Sequence, residues 1–134
     1  MGSTKWYKEN GAPGAEYKEI GRTANKIKIV QPIKSKSENT PAYSNTPNTM
    51  YAALKGSTGK LKQISVYGRG ADGRGKKLDI DIGHEHTNKI NGMHFKTRDM
   101  HVHEYDKNGV RATEARKPNK RERKLMRKAL YGRR

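Results

Sequence analysis

The chain has 134 residues, 31% of them hydrophobic and 32% charged, and it contains no cysteine. This composition favours one domain with a small core, and it excludes disulfides and thiolate metal sites. A formal charge of +17 favours a polyanionic partner such as nucleic acid. No apolar run has the length of a signal peptide or a membrane span, so we expect neither a targeting signal nor a membrane partner.

Residues 1–60 are expected to form an irregular, partly flexible arm. They carry ten Lys/Arg against four Asp/Glu and are rich in Gly, Pro, Ser, Thr and Asn, which are turn and loop residues. Within the arm, residues 26–30 (KIKIV) alternate well enough for a short strand that ends before Pro32. Residues 50–55 (MYAALK) are predicted to be a short helix with Thr46 as its cap and Gly56 as its stop.

Residues 61–134 are expected to form an α+β unit, a small twisted antiparallel meander of three to four strands followed by a basic helix. Alternation of apolar and polar residues predicts strands at 61–67, 77–82 and 100–106. In the second strand Asp79 and Asp81 lie opposite the apolar face. In the third strand His101, His103 and Tyr105 share the polar face.

The predicted helix covers residues 118–130 and stops at Gly132. It lies in the most basic part of the chain, since residues 107–134 carry twelve Lys/Arg against two Asp/Glu. Together with the Gly-rich hairpin over 68–75, this helix is the predicted nucleic-acid surface. The candidate phosphate-binding residues are Arg69, Arg74, Lys76 and Lys77 at the hairpin, and Arg121, Lys124, Arg127 and Lys128 on the helix.

All five histidines lie between residues 79 and 106. His101 and His103 are expected to lie side by side on one strand face. His84 and His86 reach the same face only if a bulge at Gly83 resets the alternation of the preceding strand. If it does, two to four imidazoles gather with the two carboxylates; if it does not, the two pairs face opposite sides.

Three chemistries fit such a cluster. One imidazole could take the 2′-hydroxyl proton of RNA while another protonates the leaving oxygen, without a metal. Alternatively, zinc, manganese or magnesium could assist phosphodiester hydrolysis on imidazole and carboxylate ligands. Finally, the four paired histidines could hold a purely structural zinc ion. A fourth interpretation is that these are ordinary histidines on a basic scaffold.

The pattern over residues 61–130 resembles short C-terminal modules of prophage proteins and of bacterial polymorphic-toxin-like proteins. The residues that match are Asp79, Ile80, Asp81, His84, His86, His101, His103, Tyr105, Asp106 and Gly109. The resemblance implies a phage or prophage origin, since such modules often accompany phage head-morphogenesis or toxin genes. Many toxin modules of that setting are nucleases.

We therefore expect a small basic protein directed to nucleic acid, RNA more than DNA, which acts as a ribonuclease-like phosphodiesterase in the host cytoplasm or in a phage particle. His101 and His103 are the first acid/base candidates, followed by His84 and His86. Asp79 or Asp81 would orient an imidazole or hold a metal, and Tyr105 completes the candidate site. The alternative is a non-catalytic nucleic-acid-binding protein, or an adaptor or inhibitor with an acidic protein partner.

Overall fold

A seven-stranded mixed sheet dominates this computed structural model, which describes residues 4–7, 15–33, 39–44 and 46–132. In chain order the strands are β1 (Thr4–Tyr7), β2 (Ala15–Arg22), β3 (Lys28–Pro32), β4 (Met50–Leu54), β5 (Leu61–Arg69), β6 (Gly75–Asp81), β7 (His86–Thr87), β8 (His94–Phe95) and β9 (His101–Glu104). The large sheet has the order β1-β2-β3-β4-β5-β6-β9, and β7 and β8 form a separate ribbon. Helix α1 (Lys120–Tyr131) follows. Only the β3–β4 pair is parallel among the pairings described.

The described chain is mostly sheet with one C-terminal helix, as expected, but the expected number of strands was wrong. Strands β2, β3 and β4 extend the predicted meander on one side, so part of the supposed arm belongs to the sheet. The helix predicted at residues 50–55 is strand β4. Tyr51, Ala52 and Ala53 are all buried there, because β4 is covered on both faces between β3 and β5. A short, continuously apolar run is compatible with either element, and here sheet pairing decides.

One face of the sheet carries the main apolar core. Ile64, Ile80 and Val102 are adjacent across β5, β6 and β9, and each is fully buried. Helix α1 covers this face with Met126 and Ala129, which belong to the same core cluster. The predicted alternation in these three strands is therefore confirmed.

Helix α1 confirms the predicted C-terminal helix, but it begins at Lys120, two residues after the predicted start at residue 118. Asn119 is its N-cap and accepts the Glu122 N–H, while the Glu122 side chain accepts the Asn119 N–H, which completes a capping box. Arg116 also donates two hydrogen bonds of 2.8 Å to Glu122 and thereby ties the helix start to the segment beside β9. The helix ends at Gly132, whose φ of 82° is unfavourable for other residues.

The opposite face of the sheet is divided into two regions. Tyr17, Val30, Tyr51 and Tyr67 form an apolar cluster over β2 to β5. Toward β9 the same face becomes polar. Residues 39–44 lie beside this boundary, where Thr40 bonds to Gln63 and the Tyr67 hydroxyl donates to the Pro41 carbonyl. The fold therefore places a buried polar surface opposite the helix.

Candidate functional site

Two rows of polar residues cross strands β5, β6 and β9 on the face away from the helix. Gln63, Asp81 and His101 form one row, and Ser65, Asp79 and His103 form the next. All six side chains are buried. This arrangement follows from the two-residue period of the strands, and it confirms that the aspartates and the histidines of β9 share a face.

Asp79 is the centre of a hydrogen-bonded network. The Ser65 hydroxyl donates to its Oδ1, and the Tyr105 hydroxyl donates to its Oδ2 over 2.7 Å. The Lys76 ammonium lies 3.2 Å from Oδ1 and is itself only 7% exposed. Burial lowers the pKa of Lys76, and burial together with the Asp79 charge raises the pKa of Tyr105. Tyr105 therefore keeps its proton and acts here as a hydrogen-bond donor to Asp79.

Arg111 covers the two carboxylates from the solvent side. Its Nη2 donates to Asp81 Oδ2 over 3.0 Å, and its Nε lies 3.7 Å from Asp79 Oδ2. The Gln63 amide donates to the other oxygen of Asp81. Burial, followed by the neighbouring Asp79, raises the pKa of Asp81. The Arg111 side chain is 44% exposed and lines the clefts described below.

A tight turn positions Arg111. The Asp106 carboxylate accepts the N–H groups of Asn108 and Val110, and Gly109 has a φ of 81°. The chain thereby reverses, and Arg111 forms a β-bridge with Tyr105. Sequence analysis did not single out Arg111, although its place just beyond that turn was a usable signal.

Both His-x-His pairs converge, by a different device from the one expected. Strand β6 ends at Asp81, and Gly83 then turns the chain with a φ of 92°. The β7–β8 ribbon follows and brings His84 and His86 over strand β9. The His84 ring lies 4.7 Å from the His101 ring, and the His86 ring lies 5.3 Å from His101 and 4.8 Å from His103, measured between centroids. A turn after the strand therefore replaces the predicted bulge within it.

His101 occupies the middle of the cluster and is fully buried. Burial, with a smaller effect of the neighbouring histidines, lowers its pKa to about 3. Burial also lowers the pKa of His84 and of His103. These imidazoles are therefore neutral near pH 7, the state in which a ring nitrogen can bind a metal ion.

The histidines and one aspartate are positioned to hold a metal ion. In one set, His86, His101 and His103 offer ligand atoms within 4.8 Å of one another, and in a second set Asp81, His84 and His101 do so. His94, the remaining histidine, lies apart in strand β8, where its Nε2 is 3.1 Å from Glu85.

Three open clefts meet at Arg111. The first, of about 420 Å³, contains Arg69, Lys76, Asp79, Tyr105 and Lys107 in its wall. The second contains Lys55, Lys62, Asp81 and His84. The third, of about 570 Å³, contains His86, His103 and Lys89. Lys55 and Lys62 were not predicted, and no sequence pattern distinguished them from other surface lysines.

The predicted nucleic-acid residues fall into separate groups. Arg69, Arg74 and Lys77 are exposed, and Arg69 lies in the wall of the first cleft. Lys76 is buried against Asp79 and is not a surface cation. The helix residues Arg121, Lys124, Arg127 and Lys128 are exposed on the far side of the sheet. The fold therefore does not bring the helix cations to the histidine cluster.

Asn88 is a supporting residue that sequence analysis missed, and no sequence signal identified it. It is buried, its amide donates to the Ala115 carbonyl, and its Oδ1 accepts the Ala115 N–H. Nearby, Glu114 accepts the N–H groups of Lys89, Ile90 and Asn91. These bonds fasten the ribbon that carries His86 to the segment after Arg111.

Within the described ranges, no helix is both long enough and apolar enough to cross a membrane. Comparisons with protein-family models, with curated proteins and with solved structures found no match to this chain.

Proposed function

We propose that this protein binds RNA through its basic clefts and cleaves a phosphodiester bond beside Arg111. One observation carries the proposal: the half-exposed Arg111 side chain lies where three clefts meet, with His84 in the wall of one cleft and His86 and His103 in the wall of another. A phosphate bound to the accessible edge of Arg111 would have imidazoles on two sides. Guanidinium groups suit this role because they bind phosphate oxygens in a fixed geometry.

The proposed reaction begins with the RNA 2′-hydroxyl. A neutral imidazole takes its proton, the 2′-oxygen attacks phosphorus, and the bond to the 5′-oxygen breaks as that oxygen gains a proton. Arg111 stabilises the added negative charge on the phosphoryl oxygens. The 2′-hydroxyl is the reason to propose RNA in preference to DNA, which lacks this nucleophile.

The burial of the histidines changes which of them would contact RNA. His101 and His103 were the first acid/base candidates, but His101 is 0% exposed, so it serves better as an internal positioning group. His84 is half-buried and contributes to the wall of the second cleft, while its Nδ1 is buried without a hydrogen-bond partner among the described residues. We assign it the role of general base. The second group would come from the His86 and His103 side, as an imidazolium that carries a proton on both ring nitrogens or as a bound divalent ion.

Among zinc, manganese and magnesium, the donor set favours zinc. Imidazole nitrogens suit zinc and other first-row transition metals, whereas magnesium is usually held by oxygen ligands. A bound ion of this kind would supply Lewis acidity near the phosphate. The residues of this chain would still bind and orient the RNA.

The experiment compares cleavage of a structured RNA by wild-type protein, His84→Ala and His94→Ala. We expect His84→Ala to slow cleavage by at least about 100-fold, the usual contribution of a general base, with unchanged RNA affinity. His94→Ala is the matched control because it removes an exposed histidine outside the cluster. An all-deoxy substrate should remain intact.

A non-catalytic RNA-binding or adaptor protein of phage or prophage origin is the second candidate, and an acidic protein could then be its partner. The complete burial of His101 favours this candidate, because a buried cluster can serve stability alone. If the wild-type protein leaves RNA intact both with added divalent metal and with chelator, the catalytic proposal is wrong and the binding function remains.

Salt dependence tests RNA binding separately from cleavage. Neutralising six or more phosphates would weaken binding roughly 1,000-fold between about 50 and 200 mM salt. An affinity that hardly changes over this range would contradict binding through the basic clefts.

A further inference from the structure

We propose that His86, His101 and His103 bind one transition-metal ion, with zinc preferred over magnesium, in the wall of the third cleft beside Arg111. This site does not require the protein to cleave RNA, so its test does not depend on the proposed function. The proposal rests on the hydrogen-bonding state of each imidazole, on their mutual distances and on the partners of Asp81.

Both ring nitrogens of His101 are buried without a hydrogen-bond partner among the described residues. Its side chain as a whole is fully buried. A buried polar atom that lacks a hydrogen-bond partner destabilises the folded chain. A neutral imidazole carries one lone pair, so a metal ion would satisfy the nitrogen that has no proton. Two of its ring neighbours, His86 and His103, offer ligand atoms within 4.8 Å.

His103 is held with one nitrogen free to bind a metal. Its Nδ1 lies 2.9 Å from the Ala112 carbonyl oxygen. A carbonyl only accepts hydrogen bonds, so Nδ1 carries the proton and the lone pair is on Nε2. Metal-binding histidines commonly donate their second N–H to a carbonyl or carboxylate in this way, which fixes the tautomer and the orientation of the ring.

Asn88 fixes His86 by the same logic. Because the Asn88 Oδ1 accepts the Ala115 N–H and its Nδ2 donates to the Ala115 carbonyl, the amide has only one orientation that satisfies both bonds. His86 Nε2 lies 2.8 Å from that Oδ1, and must therefore donate a proton to it. Its lone pair is consequently on Nδ1. Two of the three imidazoles thus have second partners that prepare them as ligands.

The alternative set of Asp81, His84 and His101 is less suited to an ion. Asp81 already accepts hydrogen bonds from Gln63 at one oxygen and from Arg111 at the other. Since His101 belongs to both sets and has one lone pair when neutral, it can serve only one ion. The imidazole set leaves the Asp81–Arg111 ion pair intact, although His101 Nε2 also lies 3.5 Å from Asp81 Oδ2, and we therefore choose it.

The three-imidazole set also indicates how the ion would be exposed. Zinc is typically four-coordinate with nitrogen ligands about 2.0–2.1 Å away, so the rings would need to close around it by roughly 1 Å. Three protein ligands leave one coordination position open. His86 and His103 both contribute to the wall of the third cleft, so that position would face the cleft.

The test measures metal binding by the full chain without RNA. Protein freed of metal by dialysis against a chelator is titrated with zinc in a calorimeter and with cobalt(II) in a visible spectrometer. We expect one ion per chain and the intense visible absorption of four-coordinate cobalt. His86→Ala and His103→Ala should each weaken metal binding by roughly 100-fold. Loss of a residue that only hydrogen-bonds to a metal ligand typically costs about 10–100-fold in metal affinity, so loss of a ligand itself should reach the upper end of that range.

Two matched variants separate this site from other kinds of binding. His84→Ala removes a histidine of the alternative set, and His94→Ala removes an exposed one; both should retain wild-type affinity. His86 is only half-buried, which makes its variant less damaging than one at His101, and circular dichroism verifies its folding. Absence of binding to wild type, equal affinity in all variants, or loss confined to His84→Ala would each overturn the proposal.

Discussion

Replacing Asp79 with Asn tests whether the buried Lys76–Asp79 pair organises the polar face. The two groups lie 3.2 Å apart and are 7% and 1% exposed. At an effective dielectric constant of about 20, their attraction is about 5 kcal/mol. Most of that attraction offsets the loss of hydration, so the pair adds little net stability. Removing one charge leaves the other buried and uncompensated, which typically costs about 3–5 kcal/mol.

The cost has an upper limit, because Lys76 can release its proton. At pH 7, deprotonating a lysine with an unfolded pKa of 10.5 costs about 5 kcal/mol. In the variant, the folded-state pKa of Lys76 falls further below 10.5, since burial lowers it and Asp79 no longer raises it. The unfolded chain then binds the proton more strongly than the folded one, so stability should rise with pH up to that unfolded value.

The measurement is urea unfolding of wild type, Asp79→Asn and the control Asp72→Asn at about pH 7 and about pH 10. Asp72 is exposed and accepts the Arg74 N–H in the same hairpin, so its variant should lose less than about 1 kcal/mol. A loss below about 1 kcal/mol in Asp79→Asn, or a deficit that grows with pH, would refute the assignment of Lys76 as a buried structural cation.

Three further predictions follow from the supporting contacts. Glu122→Gln should reduce the loss of stability at acid pH. Hydrogen bonds from the Arg116 guanidinium lower the pKa of Glu122 in the folded chain, so the stability that Glu122 contributes is present above about pH 4.5 and is lost as pH falls through its lower folded-state pKa. Unfolding measured at stepped pH would reveal the difference. Asn88→Ala should lower the free energy of unfolding by about 2–4 kcal/mol, because the Ala115 N–H and carbonyl both lose their partner. The exposed control Asn91→Ala should lower it by under about 1 kcal/mol, and equal losses in chemical denaturation would be inconsistent with this. Gly83→Ala should lower Tm by roughly 4–8 °C from backbone strain alone, since an added Cβ meets nothing within 4 Å, whereas Gly21→Ala, without positive φ, should leave Tm nearly unchanged.

The central strands were predictable because their alternation is regular and local. Ile80 against Asp79 and Asp81, and Val102 against His101 and His103, define two faces that the structure reproduces. The helix was equally predictable, since Asn119 begins it with a cap. Before residue 55, the strand predicted at residues 26–30 corresponds to β3, but β2 and β4 were not predicted as strands, because their pairing depends on distant partners. In strand β4, for example, Met50 pairs with Val66 in β5.

The convergence of the histidines was only partly predictable. Glycine adopts a positive φ both in a bulge and in a turn, so Gly83 alone did not show which of the two follows strand β6. The complete burial of His101 could not be predicted from the sequence either, since it depends on the β7–β8 ribbon that covers it. Phe95 of that ribbon packs 5.4 Å from the His101 ring. Its position is set by tertiary contacts.

Thr40 links parts of the chain that lie far apart in sequence. Its backbone N–H and hydroxyl both bond to the Gln63 amide oxygen, and its hydroxyl also contacts Ser65. Contacts of such long sequence separation form only after a large loop has closed, and they slow folding. A fragment starting at residue 61 would contain every histidine but neither Thr40 nor strand β4. In such a fragment, Gln63 and Ser65 would lack their contacts with Thr40. The histidine segment alone, placed in another protein, would therefore not re-form this site.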